Sequence, residues 1–289
     1  MTRLHANIGL LAVGFLWGTT FVVMKDALAE LPPMQLLFYR FSLASLLLFF
    51  MFRRKIKASS SKKITKGIWV GLALGLGYIT QTIGLQTTPS GQTAVITGLN
   101  LVFLPFLSFS ILGQKMNRFH FISILISFFG FCLLTGIDFE EWKWTIGSGW
   151  VLLCAFLFAL QIIGVTQVSS ELEPWTLTFI QILVTALLSG VGSLIYEQWV
   201  WDMTARTSAG ILGTALFATV MALALQSHCQ KYTDPLIAGL LMGSEYFFAV
   251  IFGVIVANES YHWIQWSGVI FMVAAMLLSE WATQRKAMM

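Results

Sequence analysis

Charged side chains are scarce in this chain of 289 residues: Asp, Glu, Lys and Arg make up 10% of it, whereas hydrophobic residues make up 57%. Soluble domains carry about 25% charged residues, and the mean hydropathy here is +0.80. The composition therefore excludes an ordinary soluble domain and predicts a protein embedded in lipid. The net charge of +4 does not indicate a nucleic-acid partner, because most of the positive charge lies in one loop beside the predicted membrane.

Cysteine and histidine are also few, and those present are scattered. The three cysteines, Cys132, Cys154 and Cys229, lie far apart within apolar stretches, so neither a disulfide framework nor a zinc site is expected. The sequence contains no Walker loop and no His-Glu-x-x-His motif. Because an enzyme within the membrane needs a clustered nucleophile, base or metal set, the sequence predicts neither catalysis nor a cofactor.

Long apolar stretches, by contrast, are abundant. A membrane-spanning helix needs about 20 apolar residues, and ten stretches of suitable length occur: 7–26, 34–52, 67–87, 92–112, 119–137, 147–168, 175–196, 207–228, 235–257 and 262–281. The first stretch follows Arg3 and has features of a signal peptide, but its length favours a retained helix. The sequence therefore predicts an all-α membrane protein with ten transmembrane helices.

The two halves of the chain repeat one pattern. Residues 14–48 overlay residues 155–189 without a gap at an offset of 141, and a further match follows at an offset of 144. We therefore predict two repeats of five helices, residues 1–137 and 147–289. Since five is an odd number, the second repeat would be inverted relative to the first. Such internal symmetry is typical of transporters whose substrate site lies between the repeats at the bilayer midplane.

Lysine and arginine are unevenly distributed over the predicted loops. The segment from Arg53 to Lys66 is rich in both residue types, whereas the loops on the opposite side carry only Lys25, Lys143 and Arg206. Basic loops remain on the cytoplasmic side of a membrane. We therefore predict a multi-pass protein of the inner (plasma) membrane with both termini in the cytoplasm.

Two ionisable residues fall deep within predicted helices, where charge is costly and marks functional sites. Glu245 lies near the middle of the ninth predicted helix, and Arg40 lies about two turns into the second. We predict that Glu245 binds substrate or exchanges a proton, with a purely structural carboxyl as the alternative. For Arg40 the expectation is a structural charge held by packing or by an ion pair.

Polar and aromatic residues recur on one face of several predicted helices, as a small-molecule pocket requires. The repeat pairs Trp17 with Phe158 and Thr20 with Gln161, and plain packing is the alternative role for the aromatic residues. The predicted substrate-binding residues are Trp17, Thr20, Tyr78, Gln81, Asn100, Phe158, Gln161, Ser244, Glu245 and Phe248.

Several short motifs, taken with this architecture, resemble the drug/metabolite transporter superfamily and in particular its EamA-type branch. These motifs are Trp17-Gly18 with Lys25, Pro33 followed by Arg40, Gly113-Gln114, and Ala257-Asn258-Glu259. The family's usual Gly-Glu pair is Gly-Gln in the fourth predicted helix, so a structural role is expected there. The resemblance implies a secondary transporter, often an exporter of amino acids or other small metabolites.

The expected function is therefore secondary active transport of a small metabolite by alternating access around a midplane cavity. An amino acid or a similar amine-bearing compound, moved outward, is the leading substrate class. Export of hydrophobic cations or drugs is the alternative, because a single acid in the cavity suits either ligand. Phosphate esters are disfavoured since the predicted cavity lacks several arginines and lysines. Proton coupling and exchange both remain compatible with Glu245.

Overall fold

The computed structural model describes residues 1–19, 23–24, 27–57, 59–88, 90–113, 118–134, 143–257 and 262–288, and within these ranges the chain is all-α. Its helices are α1 (Arg3–Gly18), α2 (Pro33–Phe52), α3 (Ser61–Leu85), α4 (Ser90–Gly98), α5 (Asn100–Leu112), α6 (Arg118–Leu134), α7 (Ile146–Val168), α8 (Pro174–Tyr196), α9 (Ala205–Gly213), α10 (Ala222–Cys229), α11 (Pro235–Met242), α12 (Glu245–Ala257) and α13 (Trp263–Met288). A π-helix, the π segment (Thr214–Met221), joins α9 to α10, and a 3-10 turn (Gln230–Tyr232) follows α10.

Six helical stretches of the described chain are long and apolar enough to cross a bilayer by length and composition. They are Pro33–Phe52, Ser61–Leu85, Gln92–Leu112, Ile146–Val168, Pro174–Tyr196 and Ala205–Tyr232. Shorter apolar helices cover Arg118–Leu134, Pro235–Ala249 and Trp263–Ser279. The count of ten transmembrane helices and the cytoplasmic placement of both termini stay predictions.

Prolines and polar caps determine where several helices begin. Pro33 and Pro174 occupy the first turns of α2 and α8, where a missing amide donor costs nothing. The Glu173 carboxylate accepts a hydrogen bond from the Trp175 amide at 2.8 Å, and Thr145 forms a capping box with Ser148 at the start of α7. Such caps satisfy amide groups that the first helical turn leaves without a partner.

Two of the predicted membrane helices are interrupted in the structure. The predicted helix 92–112 is divided at Leu99 into α4 and α5, and the predicted helix 235–257 is divided at Gly243 and Ser244 into α11 and α12. At the offset of 144, Leu99 corresponds to Gly243, so the two breaks occupy equivalent positions in the two halves. Discontinuous helices at matching positions are a feature of transporters built from repeats.

The loops at one end of the bundle contact one another. The Lys57 amide donates to Thr176 Oγ1 at 2.9 Å, and Lys66 forms an ion pair with Glu171. These contacts join the basic segment 53–66 to the α7–α8 connection. The two segments are the ones that the sequence predicts on the same side of the membrane.

Contacts at the other end join loops from different parts of the chain. Glu30 Oε2 accepts from the Thr204 amide at 2.9 Å, and the Gln35 side chain donates to Val200 O at 2.6 Å. The amide contacts of Glu30 with Thr204 lower the pKa of this exposed carboxyl below its ordinary value. Hydrogen bonds therefore fix the loop before α2 against the α8–α9 connection.

Candidate functional site

Helix α1 lies directly against the break between α11 and α12 because two of its residues lack a side chain. A Cβ atom on Gly18 would lie 2.6 Å from Glu245 O and 2.7 Å from Phe248 Cβ. A Cβ atom on Gly14 would contact Ser244 Oγ and lie 3.0 Å from Met242 O. Small residues of this kind let helix backbones approach closely in a membrane, so α1 and the break form one packed unit.

Ser244 and Phe248, both predicted to bind substrate, lie in this contact. The Ser244 hydroxyl is 2% exposed and has no hydrogen-bond partner within the described ranges. The Phe248 ring meets the Phe15 ring edge-on, with the centroids 5.3 Å apart. Both side chains therefore face α1 in this conformation, and their contact with substrate stays a prediction.

Glu245 is the first residue of α12, and its side chain lies near residues of other helices. Its carboxyl lies within electrostatic range of the side chains of Tyr246, of Tyr78 on α3 and of Cys154 on α7. A carboxylate at a helix N-terminus is also favoured by the helix dipole. The structure thus brings Glu245 to a point where side chains from both halves of the chain meet.

The π segment receives polar side chains from α1 and α2. Trp17 Nε1 donates to Ala218 O at 2.9 Å, and Arg40 Nε donates to Thr219 Oγ1 at 2.8 Å. The Thr219 hydroxyl in turn donates to Thr214 O at 3.1 Å. Irregular helical turns of this type occur frequently at functional sites, and here the irregular turn lies next to two residues singled out by the sequence.

Arg40 is 3% exposed and is surrounded by uncharged groups. Besides Thr219, its guanidinium approaches Met24 Sδ at 3.7 Å and lies 5.5 and 5.7 Å from the ring centroids of Phe41 and Tyr78. No carboxylate of a described residue lies within 4.0 Å of its nitrogens. Packing therefore holds this charge, and the ion pair that the sequence suggested has no counterpart in the described ranges.

An aromatic wall connects Arg40 to the second half of the chain. The Tyr78 ring meets Phe41 with centroids 5.1 Å apart and Phe158 with centroids 5.3 Å apart. Trp17, Tyr78 and Phe158 pack, only partly buried, against the same core cluster. Tyr78 on α3 and Phe158 on α7 are therefore in direct contact, and Trp17 on α1 packs against the same cluster.

Two further predicted residues lie along the first broken helix. Gln81 on α3 donates to Thr97 Oγ1 on α4 at 3.3 Å, and Asn100 is the partly buried first residue of α5. At the offset of 144, Asn100 corresponds to Ser244. A polar residue therefore occupies this position in both halves, as the first residue of α5 in one and as the last residue of the break in the other.

Gln161 lies in a buried amide cluster that the sequence did not predict. Its amide nitrogen donates to Gln181 Oε1 at 2.8 Å and exchanges hydrogen bonds with the Gln226 amide at 3.2 and 3.3 Å. Gln226 donates onward to Gln230 at 3.2 Å, and all four side chains are at most 3% exposed. The sequence analysis did not single out Gln181 or Gln230. The signal for Gln181 was its correspondence to Arg40 at the offset of 141.

Some predicted residues cannot be placed. Thr20, and the motif residues Lys25, Gln114 and Glu259, lie outside the described residues. Within the described ranges no group of three His, Cys, Asp or Glu side chains could hold a metal ion.

A cavity of about 490 Å³ lies at the end of the bundle where Glu30 contacts Thr204. Its walls come from the loop before α2, the end of α3 and the α8–α9 connection. The lining residues are Leu28, Ala29, Glu30, Leu31, Pro32, Pro33, Gln86, Glu197, Gln198 and Val200. The cavity lies at the loops and not beside Glu245.

Comparison with known proteins gives consistent matches over nearly the whole chain. Residues 4–136 and 145–281 each match the model of the EamA-like transporter family. An uncharacterized transporter of Archaeoglobus fulgidus is 30% identical over 276 residues, which are 96% of this chain and 86% of the relative. The uncharacterized inner membrane transporter YedA of Escherichia coli strain K12 is 24% identical over 279 residues, which are 93% of this chain and 88% of that protein.

Among solved structures, a crystal structure resembles this chain over nearly its whole length. It superposes with a TM-score of 0.86 and covers 98% of this chain and 99% of its own, at 14% sequence identity. At this identity the likeness establishes a shared fold and nothing about the ligand.

Proposed function

Because the chain belongs to the EamA-like transporter family and is a multi-pass inner membrane protein, we propose that it transports a small amine-bearing metabolite, most directly an amino acid. Transport would proceed outward, by alternating access around a site at the bilayer midplane. Family membership establishes that the chain is a transporter. The substrate class, the outward direction and the alternating-access mechanism are what we propose.

The observation that carries this proposal is the position of Glu245. Its carboxyl lies at the start of α12, next to a helix break, and within electrostatic range of Tyr78 from the other half of the chain. A carboxylate beside aromatic rings suits an ammonium group, which gains both an ion pair and cation–π contacts. Glu245 is accordingly the residue to which we assign the substrate amine.

Glu245 also offers a route to energy coupling. A carboxylate within the membrane is costly unless its charge is neutralised. When the substrate ammonium group leaves Glu245, a proton can neutralise the carboxylate instead. Substrate and proton would then compete for one group, which is the basis of proton-coupled exchange.

The architecture supports alternating access. The family model matches the chain twice, and equivalent helices in the two halves are broken at equivalent positions. We propose that the halves are inverted repeats with both termini in the cytoplasm, so that rocking around the breaks would expose the site to either side.

The test is counterflow in proteoliposomes loaded with a mixture of unlabelled amino acids and assayed with individual labelled ones. Glu245→Gln should weaken the apparent affinity for amine-bearing substrates by about tenfold or more, because a hydrogen bond to a charged group contributes about 1.5–3 kcal/mol. Glu171→Gln, which removes an exposed loop carboxylate paired with Lys66, is the control and should leave affinity unchanged. Wild-type affinity in Glu245→Gln, with unchanged proton dependence, would refute the assignment.

Export of hydrophobic cations is the second candidate, since the Tyr78 and Phe158 rings are in contact and Trp17 packs against the same cluster. Tetraphenylphosphonium serves as the probe in the same vesicles. Competition by this cation without competition by any amino acid would favour drug export over metabolite export.

A further inference from the structure

The connection between α2 and α3 carries exposed basic side chains at both of its ends. Arg53 and Arg54 directly follow the last residue of α2, and Lys62 and Lys63 lie in the first turn of α3. All four side chains are exposed, and in the described part of the chain none of them forms an ion pair. These four side chains form the basic patch.

The middle of the same connection is fixed against the start of α8. Lys55 Nζ lies 5.1 Å from the ring centroid of Trp175, and the Trp175 ring stacks on Phe52 with the centroids 4.1 Å apart. The Lys57 backbone donates to Thr176 Oγ1 at 2.9 Å and accepts from the same hydroxyl at 3.3 Å. The basic patch is therefore carried on a backbone that packing and hydrogen bonds hold in place.

The basic patch lies where the apolar surface of two membrane-length helices begins. Phe50 and Met51 on α2 are 69% and 57% exposed, and Trp69 on α3 is 68% exposed. Large apolar side chains exposed on helices long enough to cross a bilayer face lipid. At 1.5 Å per residue, Lys62 lies about 10 Å along α3 from Trp69, and Arg53 follows Met51 by two residues. The bases are therefore at the level of the lipid headgroups.

The start of α3 adds to this positive charge. Among the described residues, the Ser60 side chain makes no capping hydrogen bond, and the first turn of α3 contains no acid. The N-terminus of a helix carries a partial positive charge, so Lys62 and Lys63 stand where a cation is unfavourable unless an anion lies close by. An anionic group from outside the chain would relieve this repulsion.

We propose that the basic patch binds the phosphate groups of anionic phospholipids in the surrounding bilayer. Clusters of Lys and Arg beside a membrane helix attract anionic lipids, with about a fivefold gain in affinity per base. Guanidinium groups bind phosphate through paired hydrogen bonds, and lysine binds it as a point charge. A lipid suits the patch better than free phosphate, because its acyl chains can contact the exposed apolar residues beside the patch. This inference does not depend on which substrate is transported.

The experiment titrates the detergent-solubilised protein with fluorescent short-chain phosphatidylglycerol and with phosphatidylcholine of the same chain length. The wild-type protein should bind phosphatidylglycerol about tenfold or more tightly than phosphatidylcholine, since several bases each contribute. Equal affinity for the two lipids would overturn the inference. Displacement of phosphatidylglycerol by an equal concentration of inorganic phosphate would also overturn it, because the patch would then bind free phosphate.

Two double variants locate the binding. Arg53→Gln with Arg54→Gln, and Lys62→Gln with Lys63→Gln, should each weaken the affinity for phosphatidylglycerol by about tenfold or more. Binding of phosphatidylcholine should stay unchanged, because that headgroup has no net charge for the patch to attract. Unchanged affinity for phosphatidylglycerol in both double variants would refute the assignment.

The matched control is Arg3→Gln with Lys231→Gln, which removes the same charge from exposed positions elsewhere in the chain. Both positions are predicted on the same side of the membrane as the basic patch. The control should change the affinity for phosphatidylglycerol less than about twofold. If it weakens binding as much as the patch variants do, the attraction comes from net charge, and the patch serves only to orient the chain in the membrane.

Glu171 provides a test of opposite sign. The hydrogen bond from Lys66 lowers the pKa of this carboxyl, and the charges of Lys63 and Lys62 lower it further. The carboxylate therefore competes with lipid phosphate for the bases at the start of α3. Glu171→Gln should tighten phosphatidylglycerol binding by about two- to fivefold, and unchanged or weaker binding would contradict a phosphate position beside that helix start.

Should a double variant unfold at a lower temperature than the wild-type protein in detergent, the wild-type protein at high salt carries the test. At about 1 M salt, exposed charges are screened beyond about 3 Å. The affinity for phosphatidylglycerol should then fall to that for phosphatidylcholine without any change to the chain. A preference for phosphatidylglycerol that survives this salt concentration would overturn recognition by the exposed bases.

Discussion

At the scale of single residues, the contacts of the candidate site depend on small side chains and on which helix faces meet. The sequence singles out Glu245, Tyr78 and Phe158 because a charge or an aromatic–polar pattern within an apolar helix is conspicuous, and their roles in binding stay predictions. Their contacts could not be predicted, because these depend on which helix faces meet. Ser244 illustrates this limit: its polarity suggested a cavity, whereas its hydroxyl faces Gly14 on α1.

Gly18 gives a prediction at this scale. In Gly18→Ala the new methyl group would lie 2.6 Å from Glu245 O, so α1 and α12 must separate and the free energy of unfolding should fall by roughly 1–3 kcal/mol. Thermal unfolding in detergent measures the change, and counterflow should show reduced transport.

The matched control is Gly149→Ala on α7, where a Cβ atom would meet nothing within 4 Å. That variant should unfold at the wild-type temperature or above it, because alanine favours a helix more than glycine does. Equal effects of the two substitutions would mean that close approach of α1 to the break is not what stabilises this region.

At the scale of helices, the positions of the apolar stretches were predictable from hydropathy, but the helix breaks were not. Leu99 stands between Gly98 and Asn100, and the second break falls at Gly243 and Ser244. Glycine weakens a helix, but other glycines of the chain lie within unbroken helices, such as Gly71 and Gly75 in α3, so the sequence does not tell which glycine marks a break. Within the first predicted helix, 7–26, α1 ends at Gly18, and residues 20–22, 25 and 26 lie outside the described chain.

The amide cluster gives a prediction at the helix scale. Gln161→Ala removes the partner of both Gln181 and Gln226 and leaves buried amides unsatisfied, which should cost roughly 1–3 kcal/mol of stability. The measurement is thermal unfolding in detergent.

Gln167→Ala is a suitable control on the same helix, because Gln167 is exposed and should tolerate the change. Undiminished stability of Gln161→Ala together with weakened substrate affinity would instead favour direct substrate contact by Gln161. In that case the cluster would belong to the transport site and not to the packing of α7 against α8 and α10.

At the scale of the whole molecule, inverted topology makes a prediction about the membrane. A reporter fused after Met289 should report the cytoplasm, and one inserted after Glu141 should report the opposite side, because the basic loops remain inside. Paired reporters of opposite compartment preference provide the measurement. Reporters on the same side at both positions would contradict the five-helix repeat.

The π segment changes which residues of the helical stretch from Ala205 to Cys229 face each neighbouring helix. Each residue of a regular α-helix advances the facing direction by about 100°, so one face continues unchanged along its length. The π-helical turns from Thr214 to Met221 are wider than α-helical turns. They therefore shift the direction in which the following side chains point. The stretch can therefore present Ala218 and Thr219 to α1 and α2, and then Gln226 to α7, with a single uninterrupted chain crossing between the two environments.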